Sequence, residues 1–324
     1  MNPALIHIHE TLNTIRNQIN ADIIGQNDLI EKLLITFFAG GHALLEWVPG
    51  LGKTKTIRTF ARVLGLNTGR ISFTPDLLPS DLTGNEIYRA TKSTFEIRKG
   101  PIFTNILLAD EINRTPPKVQ SALLEAMEEK KVTIGDKTLE LPSPFVVFAT
   151  QNPLEHEWTY PLPEAQLDRF LMKINLDYPH PEDEKNIFRQ ECEPLKKWEK
   201  TETELSINEK DIGEMIDYII KSVRVDSKIY DYISDILEET RKLAHSWEKQ
   251  ILAYGASTRA GLALVRAAKV RAVMENRDFV LPEDIKYLAH SILDHRLSIS
   301  YMSSSEGMNT FQVTEKILDS VKIP

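Results

Sequence analysis

Short apolar runs alternate with helical patterns through the first half of the chain. Five of these short apolar runs look like buried strands, and they read HALLEWV, RISFT, NILLADEI, FVVFATQ and LMKINL. Helical periodicity lies between most of them, notably over residues 53–66 and 117–129. The alternation predicts an α/β fold, in which a mostly parallel sheet is flanked by helices. Ligands of such sheets bind at the carboxyl ends of the strands.

Two segments interrupt this alternation. NEIYRATKSTFEIRKG alternates apolar and polar residues on either side of TKST, and KKVTIGDKTLELPSP does the same around Gly135 and Asp136. Both patterns predict β-hairpins. A small hairpin is more often a surface decoration than a device that touches a neighbour or a substrate, and the residues alone leave both interpretations open.

The second half of the chain shows only the apolar periodicity of helices. Beyond about residue 200, apolar residues recur at helical spacing, and Pro282 suits the first turn of a late helix. The same spacing at Ile8, Leu12, Ile15 and Ile19 predicts an amphipathic N-terminal helix. A chain of 324 residues suits about two domains. We therefore predict an α/β domain with two hairpin inserts over residues 1–200 and a smaller all-helical domain over residues 201–324.

Composition narrows the classes of protein that fit. A net charge of −8 argues against nucleic acid as a partner, because a broad phosphate-binding surface needs excess positive charge. The single cysteine, Cys192, excludes an intrachain disulfide and suits a reducing compartment. The N-terminus lacks a signal-peptide pattern, and the most apolar stretch is broken by two glycines, a histidine and a glutamate. These features predict a cytoplasmic protein that does not insert into membranes.

The stretch LLEWVPGLGKTK ends like the phosphate-binding loop G-x-x-x-x-G-K-[ST]. Trp47 stands where that pattern has its first glycine. A strand before the loop and a helix after it would direct backbone N–H groups and the positive helix end at a phosphate. Lys53 would reach the β- and γ-phosphates, and Thr54 would bind Mg²⁺. The predicted nucleotide-binding residues of this loop are Pro49, Gly50, Leu51, Gly52, Lys53, Thr54 and Lys55.

Polar residues follow two of the other predicted strands. Asp110 and Glu111 end NILLADEI, where an aspartate suits a Mg²⁺ site and a glutamate could activate water. Asn152 follows FVVFATQ at the level of Glu111 and could hold the water or the γ-phosphate. An acidic pair or an Asn-Pro turn is usually structural when it stands alone, and the upstream phosphate loop favours function here.

Arg169 and Arg259 could be ordinary ion-pair residues or could stabilise charge on a transferred phosphoryl group.

The order of these parts resembles that of AAA+ ATPases and, more narrowly, of the MoxR family. The strings that carry the resemblance cover most of residues 20–300: ADIIGQ, VPGLGKTK, RISFTPDLLPSDLTG, GPIFTNILLADEINRTPPKVQSALLEAMEEKKVTI, FATQNPLEHEWTYPLPEAQLDRFLMKI and GASTRAGLALVRAAKVRA. The resemblance implies an AAA+ core with two inserts that face a central pore, followed by a helical lid. It assigns Lys53 and Thr54 to Walker A, Asp110 and Glu111 to Walker B, and Asn152 to sensor 1. Arg169 would be the arginine finger, which acts on the nucleotide of the adjacent subunit, and Arg259 would be sensor 2, which acts in its own subunit. Gly25 and Gln26 would lie beside the adenine.

The resemblance also implies a biochemical role. It predicts an ATPase that uses ATP/ADP and Mg²⁺ in a homo-oligomeric ring, expected to be a hexamer. The ring would remodel or mature a partner complex in a chaperone-like way, with a partner that carries a von Willebrand A domain. Catalysis would depend on Glu111, Asn152, Arg169 and Arg259, with Thr54 and Asp110 at the metal.

Two residues depart from the family pattern. Thr258 replaces a usual proline, with little expected effect because Ser257 or Thr258 can cap the helix. Trp47 leaves an alternative function open, a nucleotide-binding scaffold or switch with weak hydrolysis. Our hypothesis is that Trp47 leaves nucleotide binding intact and crowds the rim of the site. A DNA-acting AAA+ motor is a third possibility, and the acidic balance counts against it.

Overall fold

A computed structural model describes residues 2–47, 52–91, 93–152, 159–176, 178–192, 207–245 and 250–324. The strands of its first part are β1 Ala43–Trp47, β2 Thr68–Ser72, β3 Gly84–Arg89, β4 Thr94–Lys99, β5 Ile106–Asp110, β6 Lys131–Ile134, β7 Lys137–Glu140, β8 Val146–Gln151 and β9 Met172–Leu176. The helices are α1 Pro3–Asp22, α2 Asn27–Phe38, α3 Lys53–Val63, α4 Pro79–Thr83, α5 Pro117–Glu129, α6 Glu164–Leu167 and α7 Pro181–Cys192. A 3-10 turn, Ile112–Arg114, follows β5.

The five predicted strands form one parallel sheet in the order β2-β5-β8-β1-β9. All of β5 is buried, as are the first five residues of β8, because helices cover both faces of the sheet. Successive residues of β5 enter different cores: Leu108 packs with the core shared by α1 and α2, whereas Leu107 and Ala109 pack with the core that includes α5. The predicted α/β class is confirmed.

Both predicted hairpins are present. β3 pairs antiparallel with β4, and β6 pairs antiparallel with β7. The two hairpins meet, because a side chain on Gly135 in the β6–β7 turn would collide with the carboxylate of Glu86 in β3. Tyr88 and Phe95 lie side by side on the first hairpin with ring centroids 5.2 Å apart, and both rings are mostly exposed.

The second part of the chain is helical, as predicted. Its helices are α8 Glu209–Ser222, α9 Ser227–His245, α10 Thr258–Met274, α11 Pro282–Leu293, α12 Tyr301–Ser305 and α13 Thr310–Ser320. Two short strands, β10 Leu252–Tyr254 and β11 Ser298–Ile299, form an antiparallel ladder that is too short to leave a periodic signal in the sequence. The predicted domain boundary at residue 200 lies outside the described residues and stays a prediction.

The lid packs against the first two helices of the chain. Buried side chains of α1, α2, α3, the main sheet and α8 to α11 belong to one continuous apolar core. Polar contacts add to it: His9 Nδ1 lies 2.8 Å from the carbonyl oxygen of Val273 in α10, and the hydroxyl of Tyr287 donates to Asp28 at 3.1 Å. This packing fixes the position of the lid relative to the sheet. None of the helices in the described part of the chain is long and apolar enough to span a bilayer.

A buried histidine joins the start of β1 to α5. Nδ1 of His42 accepts from the Val147 N–H at 2.9 Å, so Nε2 carries the proton and donates to the Met127 carbonyl at 3.2 Å. Burial lowers the pKa of His42 from 6.5 to about 4, and Lys130 adds to the effect against the opposing hydrogen bond to Met127. His42 is therefore neutral near pH 7 and gives one of the last α5 carbonyls a partner.

We predict that the fold loses stability as pH falls below 6.5. Between pH 6.5 and about 4, His42 is protonated in the unfolded chain but not in the folded chain, so the free energy of unfolding falls. At pH 5 the loss from His42 is about 2 kcal/mol, and buried His295, whose pKa is also lowered by burial, acts in the same direction. Denaturant titrations at pH 7 and pH 5 measure this loss of stability.

A His42→Asn variant, which keeps an acceptor for Val147 but cannot titrate, should show a smaller loss between these pH values. His7→Gln on the exposed face of α1 is the matched control and should behave like the wild type. An unchanged pH dependence in His42→Asn would contradict the assignment.

Candidate functional site

The phosphate-loop residues lie at the carboxyl end of β1. Trp47 is the last residue of that strand, and α3 starts at Lys53. Gly52 precedes the helix with φ +75°, a left-handed conformation that strongly favours glycine. Of the other predicted loop residues, Pro49, Gly50 and Leu51 lie outside the described residues.

The Asp110 carboxylate is the centre of this edge of the sheet. Asp110 ends β5, and its side chain is only 4% exposed. Lys53 Nζ lies 3.6 Å from Oδ1, and Arg70 Nε donates to Oδ2 at 2.7 Å. The structure therefore brings together the predicted Walker A lysine and the predicted Walker B aspartate. Two cations compensate the buried charge, which would otherwise be costly.

Thr150 contacts both acidic residues. Its hydroxyl donates to Asp110 Oδ1 at 3.4 Å and accepts from the Glu111 N–H at 3.0 Å. Glu111 adopts the left-handed conformation, φ 59° and ψ 49°, which turns the chain directly after β5. Its carboxylate is one-third exposed and lies 3.2 Å from Arg114 Nη1. One acid is thus buried among cations, and the other faces the edge where water can reach it.

Sequence reasoning missed Arg70, Thr150 and Arg114. Thr150 gave a signal, because it is a polar residue within the mostly apolar strand VVFATQ, whereas Arg70 lies in the mostly polar strand TGRIS and gave none. Which partner each polar side chain reaches depends on strand order, because β2 and β8 flank β5 only in the folded sheet.

Asn152 lies at the same edge. The pairing of Ala109 with Ala149 puts Thr150 opposite Asp110, so Asn152 is one residue beyond the level of Glu111. Its side chain is half-buried. The position agrees with the expected placement to within one residue.

The residues at this edge fit a nucleotide with Mg²⁺. The first turn of α3 has no acidic residue and carries Lys53 and Lys55, so the positive end of the helix suits an anion. Within the described ranges no group of three or more histidine, cysteine, aspartate or glutamate side chains is placed to hold a metal. One carboxylate and one hydroxyl, from Asp110 and Thr54, match the sparse protein ligation of a Mg²⁺ ion that is also held by phosphates.

The predicted adenine segment lies beside α3. Gln26 accepts a hydrogen bond from the Thr56 hydroxyl at 3.0 Å. A side chain on Gly25 would come within 2.8 Å of Asp183 Cβ, so α7 closes over this segment at a point where only glycine fits. The segment is thus positioned near the start of the helix that follows the phosphate loop.

The two predicted arginines lie together, at the opposite edge of the sheet. Arg169 Nη2 is 3.1 Å from Oε2 of Glu128, and Arg259 Nη2 is 3.0 Å from Oε1 of the same carboxylate. The Leu171 N–H donates to the His42 carbonyl at 2.8 Å, which places this segment at the start of β1.

This placement corrects the expectation for Arg259. The two ends of a five-residue strand such as β1 are about 13 Å apart, so neither arginine lies beside Lys53 and Asp110 of its own chain. The lid packs on α1 and α2, which brings the start of α10 to the end of α5. The Ser257 hydroxyl donates to Asp168 Oδ2 at 3.1 Å and does not cap α10, although Ser257 occupies the predicted N-cap position.

Comparison with known proteins agrees with this architecture. Residues 42–172 match the family described as "ATPase family associated with various cellular activities (AAA)", and residues 244–317 match the AAA lid domain. These two matches, together with the parallel sheet and the helical second part, define the class as AAA+ ATPases. Within that class, the chain belongs to the MoxR family.

Relatives cover most of the chain. Chaperone MoxR1 of Mycobacterium tuberculosis is 44% identical over 308 residues, which are 93% of this chain and 79% of the relative. Protein MoxR of Methylorubrum extorquens is 30% identical over 289 residues, 85% of this chain and 84% of the relative. A solved structure from Cytophaga hutchinsonii, provisionally assigned as an ATPase, has a TM-score of 0.88 and 44% identity and covers 99% of this chain and 97% of its own.

Thr150→Val should destabilise the protein by about 1–3 kcal/mol, because the Glu111 N–H loses its acceptor and Asp110 loses a donor while the volume is kept. Thr150→Ser retains the hydroxyl and should cost less. Denaturant titrations of both variants make the comparison. Equal stability of the two variants would mean that the hydroxyl does not hold the acidic pair.

Proposed function

We propose that this chain is an ATP-hydrolysing subunit of a homo-oligomeric ring, expected to be a hexamer, that remodels or matures a partner protein complex. One observation carries the proposal: the candidate nucleotide residues and the two arginines lie at opposite edges of one sheet. A single subunit therefore holds two incomplete halves of a hydrolytic site. A head-to-tail contact between subunits would place the arginine edge of one against the nucleotide edge of the next, and repetition of such a contact closes a ring.

Nucleotide binding would begin at the start of α3. The positive helix end and Lys53 would face the β- and γ-phosphates, and Gly25 and Gln26 would lie at the adenine side. Thr54 and Asp110 would hold Mg²⁺, which neutralises charge on the phosphates when bound. Lys53 lies only 3.6 Å from Asp110 Oδ1, so a small movement of its side chain would transfer it from the carboxylate to a phosphate.

Hydrolysis would depend on Glu111. Its carboxylate, beside Arg114 at the exposed edge, would accept a proton from the attacking water, and Asn152 would orient that water. The turn at Glu111 holds this base apart from Asp110, so metal binding and proton transfer are divided between adjacent residues. Arg169 of the adjacent subunit would stabilise charge on the transferred phosphoryl group.

The chaperone-like role rests on the relatives, one of which is named a chaperone. We propose that the two touching hairpins face the ring pore, that the partner carries a von Willebrand A domain, and that the protein works in the cytoplasm. The exposed rings of Tyr88 and Phe95 are suited to touch a protein segment there.

Glu111→Gln should bind ATP with near wild-type affinity and release phosphate at least about a hundredfold more slowly, because the amide cannot accept the proton. Glu125→Gln, an exposed change in α5, is the matched control. Phosphate release and equilibrium binding of a fluorescent ATP analogue measure the two effects.

If the wild type releases phosphate readily and Glu111→Gln is equally fast, the assignment of Glu111 is refuted. If the wild type binds ATP but releases phosphate as slowly as Glu111→Gln is expected to, the result favours the switch with weak hydrolysis that Trp47 left open.

Mixing Lys53→Ala with Arg169→Ala subunits should restore activity that neither variant has alone. The Arg169→Ala subunits bind nucleotide, and the Lys53→Ala subunits supply the arginine, so random mixing in a 1:1 ratio makes about one quarter of the interfaces competent. Steady-state phosphate release after mixing tests this. If sedimentation shows that mixed rings form and phosphate release is still not restored, Arg169 does not act on the nucleotide of the adjacent subunit.

A further inference from the structure

One carboxylate joins the arginine of the core to the arginine of the lid. Glu128 lies in the last turn of α5, and its two oxygens divide between Arg169 at 3.1 Å and Arg259 at 3.0 Å. The Glu128 side chain is 43% exposed, so the contact is at the surface and accessible to an adjacent subunit.

Each arginine has a second anchor that does not involve Glu128. Arg169 Nη1 donates to the Leu124 carbonyl at 2.9 Å, and Arg259 Nη1 lies 3.5 Å from Asp168 Oδ2. Asp168 is fixed in turn by Arg296, whose nearly buried guanidinium donates to Asp168 Oδ1 at 2.7 Å. Both guanidinium groups would therefore stay at this edge without Glu128, so Glu128 occupies their remaining donors and does not set their position.

A small cavity of about 130 Å³ lies beside this contact. Its lining residues are His42, Met127, Glu128, Arg169 and Arg259. The volume is that of about four water molecules in the liquid, which leaves room for the Glu128 side chain to move. Because buried His42 is neutral, the charged side chains among the lining residues are those of the two arginines and Glu128. When Glu128 is displaced, the guanidinium groups of Arg169 and Arg259 both face the space that its carboxylate occupied.

We propose that Glu128 is a latch, which pairs with Arg169 and Arg259 in a free subunit and is displaced by the γ-phosphate of the adjacent subunit's nucleotide. The inference rests on the proposed ring ATPase. A terminal phosphate offers three oxygens and more negative charge than a carboxylate, and guanidinium groups bind either anion through the same donor pairs. Exposed carboxylate–arginine pairs are weak, so the exchange favours the phosphate. Both arginines then contact the neighbour's nucleotide, and the latch opens only when that nucleotide is present.

Glu128→Gln tests the latch, because the amide keeps the shape but loses the charge. Sedimentation velocity with a non-hydrolysable ATP analogue gives the protein concentration at which half of the subunits assemble. That concentration should fall by about two- to fivefold in Glu128→Gln, because the two ion pairs that the change removes are exposed and each is weak. Glu129→Gln is the matched control, since Glu129 is the next residue of α5, is exposed and carries the same charge. It should assemble like the wild type.

An unchanged or higher half-assembly concentration in Glu128→Gln would overturn the latch and leave the ring ATPase standing. Wild-type subunits that do not assemble with the analogue would overturn both. Rings that assemble, respond to Glu128→Gln and release no phosphate would overturn hydrolysis and support the latch, which needs only a nucleotide-bound ring.

Arg259→Gln gives a second readout. The latch predicts weaker assembly with unchanged analogue affinity of the unassembled subunit, measured by fluorescence titration below the assembly concentration. A loss of affinity in the unassembled subunit would show that Arg259 contacts its own nucleotide, and the latch would then be wrong.

Discussion

The candidate nucleotide site depends on the ion pairs and the hydrogen bond made by the buried carboxylate of Asp110. A charge at 4% exposure is stable only with close partners, and here they come from three other segments: Lys53 of α3, Arg70 of β2 and Thr150 of β8. The requirement to satisfy this carboxylate therefore holds the phosphate-loop helix and two neighbouring strands in register around the end of β5. A metal ion at the same place would satisfy the Asp110 carboxylate in the bound state. The side chains that pair with Asp110 in the free protein are therefore the ones that would change partners when the metal binds.

The opposite edge of the sheet is organised by a different set of contacts. His42 donates to the Met127 carbonyl at the end of α5, Arg169 donates to the Leu124 carbonyl one turn earlier, and Arg296 connects the lid to Asp168. Burial lowers the pKa of Arg296 from its usual value, while Asp168 opposes that effect. Since the apolar core joins the lid to α1 and α2, the lid and the segment before β9 form one packed unit. Arg259 is held in this unit, away from the nucleotide residues of its own chain.

The separation of the two edges has a functional consequence. A parallel sheet directs every strand end the same way, so the carboxyl edge collects one set of functional residues and the amino edge the other. An active site that needs both sets is completed only by a second copy of the chain. In the proposed function, hydrolysis is for this reason a property of the assembly, and Glu128 would report whether the neighbour carries nucleotide.

The sequence by itself determined the fold class, the five strands, the two hairpins and the main candidate residues, because these depend on local periodicity and on residues that directly follow strands. Lys53, Asp110 and Glu111 were predictable for that reason. Only the tertiary structure placed Arg70 and Thr150 on Asp110, because strand order decides which neighbours a buried carboxylate has. It alone placed Arg259 beside Arg169 and Glu128, since the apolar packing of the lid on α1 and α2 fixes where α10 begins, and no local pattern encodes that contact.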